Sequence, residues 1–256
     1  MHDLTDNQTL LENFSRDGFV AVKPLYSKNE VDTLNTEIAR FIRDVVPNMP
    51  EEQVYYEDKS DRNTLKQLQR MFEYDAYFED LMLNGPARQI AETVLAEEVV
   101  PINMQFFNKP AGISQATPAH QDGYYFHLNP CKAVTGWLAL EEVDAENGCI
   151  HYVRGSHKSP GFRTHGQTGV LGFSQGITDF GTEQDKACTM AFPGGPGTFL
   201  MHDAKTIHWA GANTSKIRSR RALGFIYYAK SARVDIAAKD AYQQRLDAQL
   251  KADAKI

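Results

Sequence analysis

A chain of 256 residues with 42% hydrophobic and 23% charged residues is ordinary for a globular enzyme and long enough to bury a sizeable core. Its formal charge of −6 supplies no basic field for nucleic-acid phosphates, and no apolar run of about eighteen residues is present to cross a membrane. The opening MHDLTD lacks the basic and apolar segments of a secretory signal, and Cys131, Cys149 and Cys188 have no CxxC spacing, so a cytoplasmic protein with reduced thiols is expected.

The first hundred residues predict mainly helix. Leu10, Leu11 and Phe14 form one apolar stripe. After the short strand GFVAVKP, Ser27 signals the N-cap of a second stripe through Val31, Leu34, Ile38, Phe41 and Ile42. A polar loop over 47–50 leads to helical patterns over 65–83 and 86–98, with Pro86 suited to a first helical turn. From Val99 the character changes to short apolar runs broken by Gly, Pro and Asn: VVPINMQFFNKP, ATPAHQDGYYFHL, AVTGWLALEEV, GCIHYVRG, ACTMAFPG, GTFLMHD, TIHWAGAN and RRALGFIYYA. Such a series predicts a β-sandwich or barrel rather than a parallel βαβ sheet. The glycine-rich stretch 155–186 has little periodicity and reads as a lid between strands, and 232–256 reads as a surface helix.

Within AHQDGYY, His120 and Asp122 stand two residues apart; on a strand they share a face and can converge on one ion. His208 is the expected third ligand, because its strand can return beside theirs, while His202 and Asp203 form a competing pair at an apparent turn. Two imidazoles and a carboxylate on one face of an octahedral metal leave adjacent positions open for an organic acid and dioxygen. HxD alone arises easily by chance, and the same donors can build an open zinc site, so a cupin-like divalent-metal hydrolase or isomerase is the alternative. The downstream RSRRAL adds guanidinium groups able to clamp a carboxylate by paired hydrogen bonds.

From about Asn103 to Ala229, through NKPAG, TPAHQDGYY, GWLALEEVDAENGCIHYVRGSHK and HWAGANTSKIRSRRALGF, the chain resembles the phytanoyl-CoA dioxygenase family of iron- and 2-oxoglutarate-dependent oxygenases. The resemblance implies Fe(II) held by His120, Asp122 and His208, with 2-oxoglutarate and O2 as cosubstrates. It implies hydroxylation of an aliphatic C–H bond in a small molecule, with release of succinate and CO2. A carboxylate at 122 argues against the halogenating variants of this chemistry. The implied fold is mainly β with flanking helices: a double-stranded β-helix, a jelly-roll of the cupin type, with N-terminal helices against one sheet. The implied organisation is one oxygenase domain over 1–256, with helical support at 1–98, the β-helix core at 99–231 with its insert at 155–186, and a C-terminal helix at 232–256. Arg220 is the expected clamp for the far carboxylate of 2-oxoglutarate. One extra residue after Asn213 and strand alternation leave Arg218 as the alternative. Gln105 and Trp137 are implied in cosubstrate binding, and Lys109, Tyr124, His157, Arg163 and His165 are candidate substrate contacts. The expected partner is a small-molecule substrate, with neither nucleic acid nor membrane; its identity and the oligomeric state are not written in these motifs.

Overall fold

Helix α1 (Asn7–Asp17) leads into strand β1 (Phe19–Val22) and helix α2 (Lys28–Asp44) of a computed structural model that describes residues 7–170 and 173–252. Local chemistry starts α2. The Ser27 side chain accepts from the Glu30 backbone while the Glu30 carboxylate accepts from the Ser27 backbone, so two otherwise orphaned amides are satisfied. Strands β2 (Val54–Tyr56) and β3 (Leu65–Leu68) follow, then helices α3 (Ala76–Asn84) and α4 (Pro86–Leu95). Asp75 caps α3 and also receives two 2.9 Å bonds from Arg40 of α2, which locks the two helices together.

The second half contains β4 (Val99–Lys109), β5 (Thr117–His120), the single turn α5 (Gly123–Phe126), β6 (Leu128–Asn129), β7 (Ala133–Ala139) and β8 (Ile150–Val153). The insert forms β9 (His165–Val170), β10 (Phe173–Ile177) and α6 (Glu183–Cys188). The chain continues through β11 (Thr189–Phe192), β12 (Phe199–Asp203), β13 (His208–Ala210), β14 (Arg220–Ala229) and β15 (Arg233–Val234) to α7 (Ile236–Ala252). Residues 253–256 of the expected C-terminal helix, 171–172 of the expected insert and 1–6 of the expected N-terminal support lie outside the described residues.

The closed jelly-roll barrel expected from the sequence is corrected by the strand order. The strands form open sheets: seven in the order β1-β12-β7-β14-β4-β3-β2, four in the order β11-β8-β13-β5, and two pairs, β10-β9 and β15-β6. Among the described residues no ladder joins the seven-stranded sheet to the four-stranded one, and with the helices on its flank the fold is mixed α/β rather than mainly β. The physical reason lies at β4. It pairs with β14 along one edge, and its other edge is taken by β3, from a stretch that reads as helix in sequence. In-plane extension by β3 and β2 leaves open edges where a barrel would close. All four residues of β3 are buried, Lys66 and Gln67 included, which masks the two-residue alternation of a strand.

Alternation sorts the seven-stranded sheet into two faces. Leu223, Phe225 and Tyr227 of β14 join Phe41, Phe78 and Ile90 of the helices in one core. Ala222 instead meets Trp137, Leu200 and Tyr152 in a second core between the two larger sheets. Gly197, at φ +88, lies in the turn two residues before β12; its carbonyl accepts from Leu25 N at 2.8 Å, and a Cβ there would lie 1.9 Å from the Tyr26 oxygen. Only glycine fits that crossing.

Candidate active site

His120 ends β5, and His208 opens β13 directly opposite it in the antiparallel ladder. Their rings lie 4.1 Å apart. Asp122 reaches the same point by a different route from the one alternation suggests: it has left the strand, with φ −57 and ψ −37, and precedes α5. The helical turn, not the strand pleat, swings its carboxylate back toward the two imidazoles.

One potential ligand atom from each of His120, Asp122 and His208 lies within 4.8 Å of the others. The outer atom of each is tied down. His120 Nδ1 is 2.7 Å from the Pro118 carbonyl and His208 Nδ1 is 3.0 Å from the Thr206 carbonyl; a carbonyl only accepts, so each Nδ1 carries the proton and each Nε2 offers a lone pair. Asp122 Oδ2 accepts from Thr135 Oγ1 at 2.6 Å and contacts His202 Nε2 at 3.1 Å. Asp122 Oδ1 is left facing His120 Nε2 at 3.4 Å and His208 Nε2 at 3.6 Å. Burial opposes ionisation of Asp122, but the surrounding imidazoles of His208, His120 and His202 outweigh it and hold the carboxyl well below its usual range. Burial, with His202 and His120 alongside, pushes His208 well below the usual imidazole range, so it stays neutral and able to coordinate. Two nitrogen lone pairs and one anionic oxygen converging from one side fit a divalent iron with its remaining positions open.

The three side chains line a cavity of about 300 Å³. Its inner end is built from the strand faces that alternation turns away from the helices: Gln105 and Lys109 of β4, Trp137 of β7 and Arg220 of β14. Arg220 and Lys109 are register partners, 5% exposed each. The Arg220 guanidinium lies 5.5 Å over the Trp137 ring, and its buried Nε has no hydrogen-bond partner. Burial lowers Arg220 to about 10, and burial together with the Arg220 and Lys66 charges lowers Lys109 to about 6. A buried guanidinium with an orphaned N–H, beside a buried amine that an anion would help to protonate, fits an incoming carboxylate. Arg218, the alternative clamp, is committed to Asp144 at 2.8 Å and to Glu146 outside this cavity.

The remaining candidates lie elsewhere. Tyr124 stacks on His165 with centroids 4.1 Å apart, and His165 Nε2 accepts from Gln121 N at 3.3 Å. Arg163 bonds to Asp179 at 3.0 Å and to Asp185 at 2.8 and 2.9 Å. His157 sits against Gly18, with Nε2 3.3 Å from the Ser15 carbonyl. None of these four lines the cavity; Tyr125 does, beside Val170 of the insert and Tyr242 of α7. Sequence reasoning missed Thr135 and misjudged His202. They are register partners on β7 and β12, and their signal was buried-strand alternation, Thr135 with Trp137 and His202 with Leu200.

A family model described as Phytanoyl-CoA dioxygenase (PhyH) matches residues 14–222. The phytanoyl-CoA dioxygenase domain-containing protein 1 homolog of Caenorhabditis briggsae is 25% identical over 261 residues, covering 83% of this chain and 88% of the relative. The peroxisomal phytanoyl-CoA dioxygenase of Mus musculus is 25% identical over 232 residues, covering 84% of this chain and 67% of the relative. Among solved structures, the epimerase SnoN in complex with Fe3+, alpha ketoglutarate and nogalamycin RO has a TM-score of 0.73 at 22% identity, covering 91% of this chain and 89% of that one. At that identity the likeness is one of fold.

Proposed function

The chain belongs to the phytanoyl-CoA dioxygenase family and is a non-haem iron, 2-oxoglutarate-dependent enzyme; on that premise we propose that it hydroxylates an aliphatic C–H bond of a small-molecule substrate, releasing succinate and CO2. The observation that carries this reading is one cavity in which a two-histidine, one-carboxylate cluster adjoins a buried arginine with an unpartnered N–H. His120, Asp122 and His208 are the iron ligands, and Arg220 with Lys109 receives the far carboxylate of 2-oxoglutarate. Gln105 and Trp137 wall that end, and burial there excludes the water that would otherwise compete for the cations. When bound, iron and 2-oxoglutarate supply dioxygen activation coupled to oxidative decarboxylation of the cosubstrate.

The substrate occupies the outer side of the cavity, toward Tyr125 and Tyr242. A cavity of about 300 Å³ is at the lower end for small-molecule sites, which supports a small metabolite as substrate. Residues 1–256 read as one oxygenase domain, with 1–98 as support, 99–231 carrying the site and 232–256 as the C-terminal helix, whose Lys239, Tyr242 and Gln243 line the cavity. Among the described residues no helix is long and apolar enough to cross a membrane. The free Cys131, Cys149 and Cys188 support a cytoplasmic setting.

Screening a panel of small polar metabolites aerobically with Fe(II) and 2-oxoglutarate tests the proposal. A substrate-dependent rise in succinate, with a product heavier by one oxygen atom, is expected. Turnover with zinc alone, giving a hydrolysed or isomerised product and no succinate, would overturn it.

A further inference from the structure

His202 is the buried histidine that the ligand set does not use. It is 2% exposed, lies on the site face of β12 and lines the cavity beside Asp122. Its Nδ1 is 3.0 Å from the Tyr152 hydroxyl and its Nε2 is 3.1 Å from Asp122 Oδ2. The Asp122 carboxylate only accepts, so Nε2 carries the proton, and Nδ1 then accepts from Tyr152 O–H. Tyr152 is fully buried and stacks on Phe19 at 4.7 Å, so the hydroxyl that meets His202 Nδ1 is itself held in place by packing.

Asp122 Oδ2 thus receives two donors, Thr135 Oγ1 and His202 Nε2, whereas Oδ1 faces the two ligand imidazoles. The two donors arrive from register partners on adjacent strands of the seven-stranded sheet, while His120 and His208 belong to the four-stranded sheet. We propose that the Tyr152–His202 relay is a positioning device that saturates Asp122 Oδ2 and thereby makes the carboxylate a one-oxygen iron ligand, keeping open the position that a two-oxygen carboxylate would cover. The inference rests on the assignment of Asp122 as an iron ligand. His202 touches a ligand, not the reacting atoms, and acts through it. A histidine in direct metal contact would need the Nε2 lone pair, which the bond to Oδ2 removes.

Co(II) titration of the apoprotein, followed by its visible absorption, separates the possibilities, with thermal unfolding as the control for folding. His202→Leu is expected to lower Co(II) affinity about 10- to 100-fold, the usual cost of removing a group that orients a ligand, and to change the absorption envelope as the carboxylate turns. His202→Gln, whose amide can still donate to Oδ2, is expected to restore both toward wild type. If His202→Leu proves unstable, Tyr152→Phe tests the same relay: it removes the hydroxyl that donates to Nδ1 and holds the imidazole against Oδ2, and it should alter the absorption in the same direction. Wild-type affinity and absorption in a folded His202→Leu, or in Tyr152→Phe, would overturn the relay, as would a His202→Gln as impaired as His202→Leu. Asp122→Ala decides the premise separately: retained Co(II) affinity there would remove the ligand assignment itself, whereas lost affinity with unaffected His202 variants would remove only the relay.

Discussion

Lys109 carries the most informative charge in the site. Burial and the neighbouring Arg220 and Lys66 lower it to about 6, so without an anion it is largely neutral at pH 7.5; a carboxylate beside it favours the ammonium form. Binding of 2-oxoglutarate therefore takes up a proton above about pH 6, and affinity falls as pH rises from there, by at most about tenfold per unit. Calorimetry in buffers of different ionisation enthalpy should record that uptake, and Lys109→Met should abolish it. A pH-independent affinity between 6 and 8 would separate Lys109 from the anion. The two arginines differ more sharply. Arg220→Ala should raise the 2-oxoglutarate requirement about thirty-fold or more, from the roughly 2–5 kcal/mol cost of losing a buried charged contact, while Fe(II) binding persists. Arg218→Ala, which removes a surface pair with Asp144 and Glu146, should change that requirement little. The reverse order would transfer the clamp to Arg218.

Single elements decide how these side chains meet. The described residues of the insert at 155–186 are tied together: Arg163 bridges Asp179 and Asp185, its backbone N–H donates to Gln121 Oε1 at 3.0 Å, and His165 accepts from Gln121 N. These bonds grip the residue between His120 and Asp122. Arg163→Ala should accelerate limited proteolysis within 163–186 and reduce the ratio of hydroxylated product to succinate, with iron and 2-oxoglutarate still bound; unchanged proteolysis and coupling would make the bridge incidental. Gly197→Ala should destabilise by at least about 1–3 kcal/mol through its positive φ alone, and further through the clash with the Tyr26 carbonyl, lowering the unfolding midpoint. An unchanged midpoint would refute that reading of the turn. The helix of α2 was legible because its cap and stripe are local. The helical turn at Asp122 was not, because the tyrosines and phenylalanine after it favour strand, and the Gly123 N–H bond to the Ala204 carbonyl at 2.7 Å comes from a distant segment. Arg163 and His165 offered charge in a glycine-rich stretch, which fits a bridge as well as a substrate contact; their partners decide.

Across the molecule, the positions of β4, β5, β7, β8 and β11 to β14 were readable from short apolar runs, but their partners were not, and β9 and β10 of the insert were not read as strands. Period-two alternation identifies a face and says nothing of which edge another strand will take, so β3 and β2 beside β4 turned an expected closed barrel into open sheets. The ligand triad was legible because its three residues sit in ordered motifs; Thr135 and His202 were not, because their meaning arises only when β7 and β12 pair. The account as a whole stands on iron held at this junction of the two sheets. Its most direct test is aerobic succinate formation from 2-oxoglutarate by the wild-type protein and by Asp122→Ala, each with Fe(II) and with Zn(II), alongside anaerobic Fe(II) binding. The account predicts succinate from the wild type with Fe(II) only, and neither succinate nor normal Fe(II) binding from a folded Asp122→Ala. Normal iron binding and undiminished succinate from that variant would contradict it.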